Sequence, residues 1–245
     1  MTQVFIVNVG VNSKHGTLRS PRFPDGTFEF VTIPDKKVQD CSLAIQYNSF
    51  PTTTGISPKE FIYPTHLMRR SHYDPEFITP SYGDVPRTNA RASNLLNVKK
   101  NDILLFYARL VEWSNGRFHR NQSGMYFIGY IEVSEIHGDI TERPKRDTFK
   151  RISRNAHIIR AECLDDYNGF HVFRGSRKSR RFTYALPFNR SVIRRFRLSD
   201  ANGEPIKWNR YKSENSAIGA YFRSVRQIDS SRQVSLIREY IDSGE

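Results

Sequence analysis

The sequence predicts an α+β fold: a mixed β-sheet or partly closed barrel core with amphipathic helices at the C-terminal end. Three observations carry that expectation. Apolar runs of strand length, Ile103–Val111 and Met125–Val133, occupy the middle of the chain. Apolar residues at helical spacing, among them Val234, Ile237 and Ile241, close it. Hydrophobic residues make up 38% and aromatics 13% of the 245 residues, enough to bury a substantial core. Strands first and helices last favour α+β over an alternating α/β arrangement.

Taken in order, Val4–Val11 reads as a strand buried on both faces. Phe23-Pro24-Asp25-Gly26 is a turn signal, and Thr27–Ile33 follows as a β-rich strand. Residues 34–86 are rich in Pro, Thr, Ser, Tyr and His without periodicity, and a loop-rich stretch of that length suits a functional wall. Arg87–Leu96 reads as a helix, and Lys99–Asp102 turns the chain into the strand Ile103–Val111. The polar segment Ser114–Gly124 reads as a loop joining that strand to Met125–Val133 in a hairpin. Residues 143–160 form a basic connector and short helix, and 170–174 and 181–188 further strands. Ile218, Tyr221, Phe222, Val225 and Ile228 mark one last helix, and Val234, Ile237 and Ile241 another. No linker interrupts the chain, so residues 1–245 are expected to form one domain.

Cys41 and Cys163 force no disulfide framework and leave a single bridge open. No apolar run approaches the length of a membrane span. The N-terminus enters a strand-like run without a basic signal-peptide region, so a cytoplasmic protein with no membrane partner is expected.

The net charge is +13, and its placement is uneven. Residues 143–245 hold 23 Lys and Arg against 11 Asp and Glu, whereas residues 1–142 hold 15 against 14. A near-neutral part is thus followed by a strongly basic one, as a polyanion-binding surface requires. Most of these cations are Arg, which forks onto phosphate oxygens where Lys acts as a point charge. The densest cluster is Arg174, Arg177, Lys178, Arg180 and Arg181, with Arg194 and Arg195 beyond. Interleaved Ser, Gly and aromatics add donors for phosphates, so DNA is the expected partner.

There is no G-x-G-x-x-G and no P-loop; Gly124 and Gly129 have P-loop separation, but Tyr130 stands where Lys is needed. No Cys/His cluster has zinc spacing and no H-E-x-x-H occurs, so neither metal, nucleotide cofactor nor any other cofactor is expected. Cofactor-free polar chemistry remains. Asn8, Asn12 and His15 cluster at the end of the first strand, where ligand sites often form. Asn8 interrupts an apolar run, so its amide either bonds a neighbouring loop or faces a ligand. Asn12 and His15 can equally be turn residues, as can Asp25 in Pro-Asp-Gly. A second group, His72, Tyr73, Asp74, Tyr82 and Asp84, joins imidazole to carboxylates that can orient water or a polar ligand edge. Phe106 and Tyr107 are core by default, or present a face to an extruded base.

In order, Asp25-Gly26-Thr27-Phe28-Glu29-Phe30 to Ile33-Pro34, His72-x-Asp74-Pro75-Glu76-Phe77, Tyr82-Gly83-Asp84, Asp102–Tyr107 and Ile128-Gly129-Tyr130 resemble the nucleotide modification associated domain family of the third type. The resemblance covers most of residues 4–135 and is looser beyond. The hairpin 102–133 also resembles strands of modified-base readers of the PUA, ASCH and EVE type. The family resemblance implies handling of modified bases in DNA and a role in anti-phage defence. Two functions then fit. One is a DNA glycosylase hydrolysing the N-glycosidic bond of a hydroxymethylated or glucosylated pyrimidine, with Asp25, or failing it Asp74 or Asp84, acting with Asn8 or Asn12. The other is a non-catalytic reader of the same base.

Overall fold

A computed structural model describes residues 2–244. In chain order the strands are β1 (Val4–Asn8), β2 (Ser20–Arg22), β3 (Ser81–Asp84), β4 (Ile103–Ser114), β5 (Arg117–Ile140), β6 (Phe170–Gly175), β7 (Arg180–Pro187) and β8 (Arg226–Ile228). The helices are α1 (Pro58–Phe61), α2 (Pro64–Leu67), α3 (Arg146–Ile152), α4 (Ala156–Leu164), α5 (Arg190–Arg195), α6 (Glu214–Tyr221) and α7 (Ser231–Ser243). The fold is α+β, and its mixed sheet, in the order β3-β6-β5-β4-β1-β8, does not close. β2 adds to β4, and β7 to β5.

β1 lies between β4 and β8; Val4, Phe5, Ile6 and Val7 are all buried, and it runs parallel to β4 with Val4 opposite Ile103 and Asn8 opposite Tyr107. The main core gathers side chains from Val4 to Ile241. At its centre Phe127 and Phe188 lie 4.5 Å apart, and Tyr107 and Phe222 pack against Phe188 at 4.9 and 5.1 Å. Truncating any one of these rings to Ala would cost about 3–5 kcal/mol, as for other buried aromatics.

Several expectations change. β4 continues to Ser114, and the polar stretch 114–124 belongs mostly to β5, because Asn115-Gly116 makes the turn with both φ angles positive (53° and 72°). That dipeptide is the favoured sequence of a two-residue hairpin turn. Residues 27–33 form an extended segment held by isolated bridges, not a strand. Residues 87–96 are turns leading into a 3-10 turn, Ser93–Asn97. Val225 and Ile228 lie at and within β8, so the helix that begins at Glu214 stops at Tyr221. α7 is as expected, with Val234, Ile237 and Ile241 inward.

The single bridge left open by the sequence is present: Cys41 and Cys163 form a disulfide, their Cα atoms 5.8 Å apart and 122 residues apart in sequence. It ties α4 to the loop after Pro34. No helix among the described residues is long and apolar enough to cross a membrane.

A polar cleft as candidate functional site

The carboxyl end of β1 opens into a cleft of about 1230 Å³. Asn8, Asn12 and His15 line one wall; His72, Asp74, Tyr82 and Asp84 line the floor with His157 and Arg160 of α4. Arg91, Arg109, Asn215 and Arg223 also line the cleft. Two sequence clusters some sixty residues apart thus meet in one place. Asn8, the last residue of β1, is exposed to the cleft and is not a buried amide.

The near wall is built locally. Asn12 accepts a hydrogen bond from the Lys14 amide (3.0 Å), and its own amide donates to His15 Nδ1 (3.0 Å), a reciprocal cap on a 3-10 turn. Both turn roles and cleft lining therefore belong to this pair. Burial lowers the His15 pKa, so the ring is neutral near pH 7 with its proton on Nε2.

The floor is set by β3 and α4. The Asn155 side chain caps α4 by accepting from the His157 amide (3.0 Å), and α4 then presents His157 and Arg160 three residues apart on one face. Gly83 makes room for that ring: a Cβ there would lie 2.5 Å from His157 Cδ2. The Gly83 amide donates to Asp74 Oδ2 (2.8 Å). Asp84 accepts from the Tyr82 hydroxyl (2.9 Å), the Val85 amide (2.8 Å) and Asn89 Nδ2 (3.3 Å). Behind the floor, Asp35 Oδ2 accepts from His72 Nδ1 (3.1 Å) and Arg160 Nε (2.9 Å). Burial pushes the Asp35 carboxyl up, but the bonds from His72 and Arg160 outweigh it and hold the pKa at about 2. Burial acts on Asp74 without that relief; with Asp84 and Glu76 nearby its pKa is raised well above the usual range, against the Gly83 amide. Burial also lowers His72 and, aided by His72 and Arg160, lowers His157 strongly. Burial thus disfavours the charged forms of Asp74, His72 and His157 alike.

The rim is basic. Lys14, Arg91, Arg109 and Arg223 make no ion pair among the described residues. Arg109 donates to Ser123 Oγ (2.9 Å) and its buried Nε has no partner. Cations left unpaired around an open polar cleft suit a phosphate-bearing ligand.

Other expected site residues lie elsewhere. Asp25 is in an exposed turn, where its Oδ1 accepts from the Thr27 amide (2.9 Å) and hydroxyl (2.7 Å); it does not line the cleft. Tyr73 is buried against Phe50, with ring centroids 5.0 Å apart. Tyr107 is fully buried and donates to the Phe222 carbonyl (2.8 Å), so it has no face for a base. Phe106 is equally buried but supports the site, packing 5.1 Å behind the Tyr82 ring.

The basic cluster is heavily engaged. Arg181 is inside the fold, paired with buried Glu29 at 2.9 Å and bonded to the Phe28 carbonyl at 2.6 Å. Arg174 pairs with Glu135 (2.9 Å), Lys178 with Glu132 (3.6 Å) and Arg180 with Asp242 (3.7 Å). Arg177, Arg194 and Arg195 are exposed.

His157, Arg160, Asp35, Arg109 and Arg223 went unread in the sequence. The one local signal was the i, i+3 spacing of His157 and Arg160 behind the helix cap Asn155.

Comparison with known proteins places this chain against one family model, described as nucleotide modification associated domain 3, which matches residues 3–222. The match runs through the basic half, well past residue 135. No curated protein and no solved structure matches.

Proposed function

The chain belongs to the nucleotide modification associated domain 3 family, and from that premise we propose that its cleft receives a modified base of DNA and hydrolyses the N-glycosidic bond. The observation that carries this reading is the division of the cleft into an unpaired cationic rim and a floor bearing Asp84. A nucleotide turned out of a duplex presents both needs at once, phosphates outside and a base within. Arg91, Arg109, Arg223 and Lys14 take the phosphates; Asn8 and Asn12 offer amide edges to the base. Asp84, held in place by three donors, orients water toward C1′ and stabilises the positive charge that develops on the sugar. The bond from C1′ to the base nitrogen breaks, the water oxygen joins C1′, and its proton leaves with the base. The polar floor favours a base carrying a hydroxymethyl or glycosyl group, because an unmodified base leaves buried polar groups unpaired.

Duplexes identical except for the modified pyrimidine test this. Alkali-labile abasic sites should appear on the modified duplex alone, and Asp84→Asn should lower their rate by about 10²-fold or more. Tight retention of the modified duplex without base release would instead establish a reader.

A further inference from the structure

The excision reading uses Asp84 and leaves a second group on the floor without a task. His72 and Asp74 are buried and the His157 side chain is 11% exposed, and one donor atom from each falls within 4.8 Å of the other two. We propose that these three side chains bind a divalent transition-metal ion of the zinc or ferrous class, with its remaining coordination facing the cleft.

Each ligand is prepared for the task. Asp35 meets His72 Nδ1 at 3.1 Å, and in the tautomer with the proton on Nδ1 the Nε2 lone pair is left for a metal; Arg160 Nη2 stands 3.2 Å from the same Nδ1. A carboxylate behind a ligating histidine is the usual device for orienting such a ring. Arg160 Nη2 holds the same carboxylate oxygen, Asp35 Oδ2, at 2.8 Å. His157 comes from α4 with its ring seated over Gly83, and its Nε2 is 3.8 Å from Asp74 Oδ2. That distance is too long for a hydrogen bond and leaves room for a shared ion. Asp74 supplies the clearest sign. Its Oδ2 is held by the Gly83 amide, whereas Oδ1 is buried with no hydrogen-bond partner. A buried carboxylate with one oxygen unpartnered is costly, and a cation held by that carboxylate beside the imidazoles would offset the cost.

Two imidazoles and one carboxylate suit zinc or ferrous iron, while calcium and magnesium prefer oxygen ligands alone. Three protein ligands leave at least one position for water or a substrate oxygen, as in catalytic rather than structural sites. The ordinary alternative is a buried polar network. In that reading the two imidazoles pack edge-to-face, centroids 4.7 Å apart, and the second oxygen of Asp74 stays unpartnered.

The inference does not depend on base excision. Metal-free, untagged full-length protein is titrated with Co²⁺ and then challenged with Zn²⁺. One equivalent should give a visible ligand-field band that Zn²⁺ abolishes, and Mg²⁺ should leave the band in place. His157→Gln and Asp74→Asn should each weaken binding by about 100-fold or more, and Asp35→Asn by about 10–100-fold, since it acts through His72. X-ray absorption of the zinc-loaded wild type gives the ligand set whether or not a variant folds: two imidazoles and oxygen are expected. No saturable binding, or a shell lacking two imidazoles, overturns the proposal. Base release measured on the same samples separates the two readings. Zinc held by these ligands with no base released removes only the excision reading; base release from protein that binds no metal removes only this one.

Discussion

Gly83 is tightly enclosed at the site. A methyl group there meets His157 Cδ2 at 2.5 Å and Asn155 Oδ1 at 2.8 Å, and both belong to the first turn of α4 or its cap. Gly83→Ala should therefore destabilise the fold by about 1–3 kcal/mol through overpacking. Urea denaturation measures that cost, and wild-type stability would show that α4 shifts freely. At this scale the sequence was partly legible. His72, Asp74, Tyr82 and Asp84 stood out because polar and acidic side chains crowd a short window without helical or strand periodicity. Asp35 and Arg160 did not, since a lone carboxylate and a lone arginine 125 residues apart carry no local pattern until the fold joins them. Of the two readings left open for Asn8, the structure has its side chain lining the cleft at the end of the buried strand. Asp25 followed the simpler rule, for Pro-Asp-Gly made the turn its residues favour.

Elements were legible where apolar pattern and length agreed. β1, the apolar cores of β4 and β5, and α7 follow from their side chains alone. The outer arm of the β4–β5 hairpin did not, because its residues are polar and partly exposed, and backbone pairing rather than burial holds them in a strand. The decisive signal was Asn115-Gly116. Gly116 has φ 72° with open space around it, so Gly116→Ala tests backbone strain without a clash. A loss of about 1 kcal/mol in thermal or chemical unfolding is expected, the usual cost of a left-handed conformation for a residue with a Cβ. No loss would mean that the hairpin tip frays independently of the rest. β8 was misread for the opposite reason: Val225 and Ile228 continue a helical spacing, yet the pairing of Arg226–Ile228 with β1 ends the helix first.

Over the whole molecule, the charge asymmetry is real in sequence, but much of it is neutralised within the fold. Arg174, Lys178, Arg180 and Arg181 each face a carboxylate, whereas the cleft residues Arg91, Arg109 and Arg223 and the exposed Arg177, Arg194 and Arg195 are in no ion pair among the described residues. The two sets should behave differently on DNA. Replacing Arg91, Arg109 and Arg223 with Ala should flatten the slope of log affinity against log salt by roughly 0.9 for each phosphate no longer neutralised, and should also slow base release. Replacing Arg177, Arg194 and Arg195 should flatten the slope while sparing release at saturating protein. Unchanged slopes in both variants would leave no electrostatic footprint in either place. Pairing of this kind is invisible in composition, because each arginine's partner lies tens of residues away. The Cys41–Cys163 bridge adds a property of another sort. It makes a covalent ring of the segment between the cysteines, which carries the floor from His72 to Arg160, so one broken peptide bond within it does not divide the molecule. A protease cutting at the exposed Lys145 should give a single band on a non-reducing gel and two fragments once thiol is added.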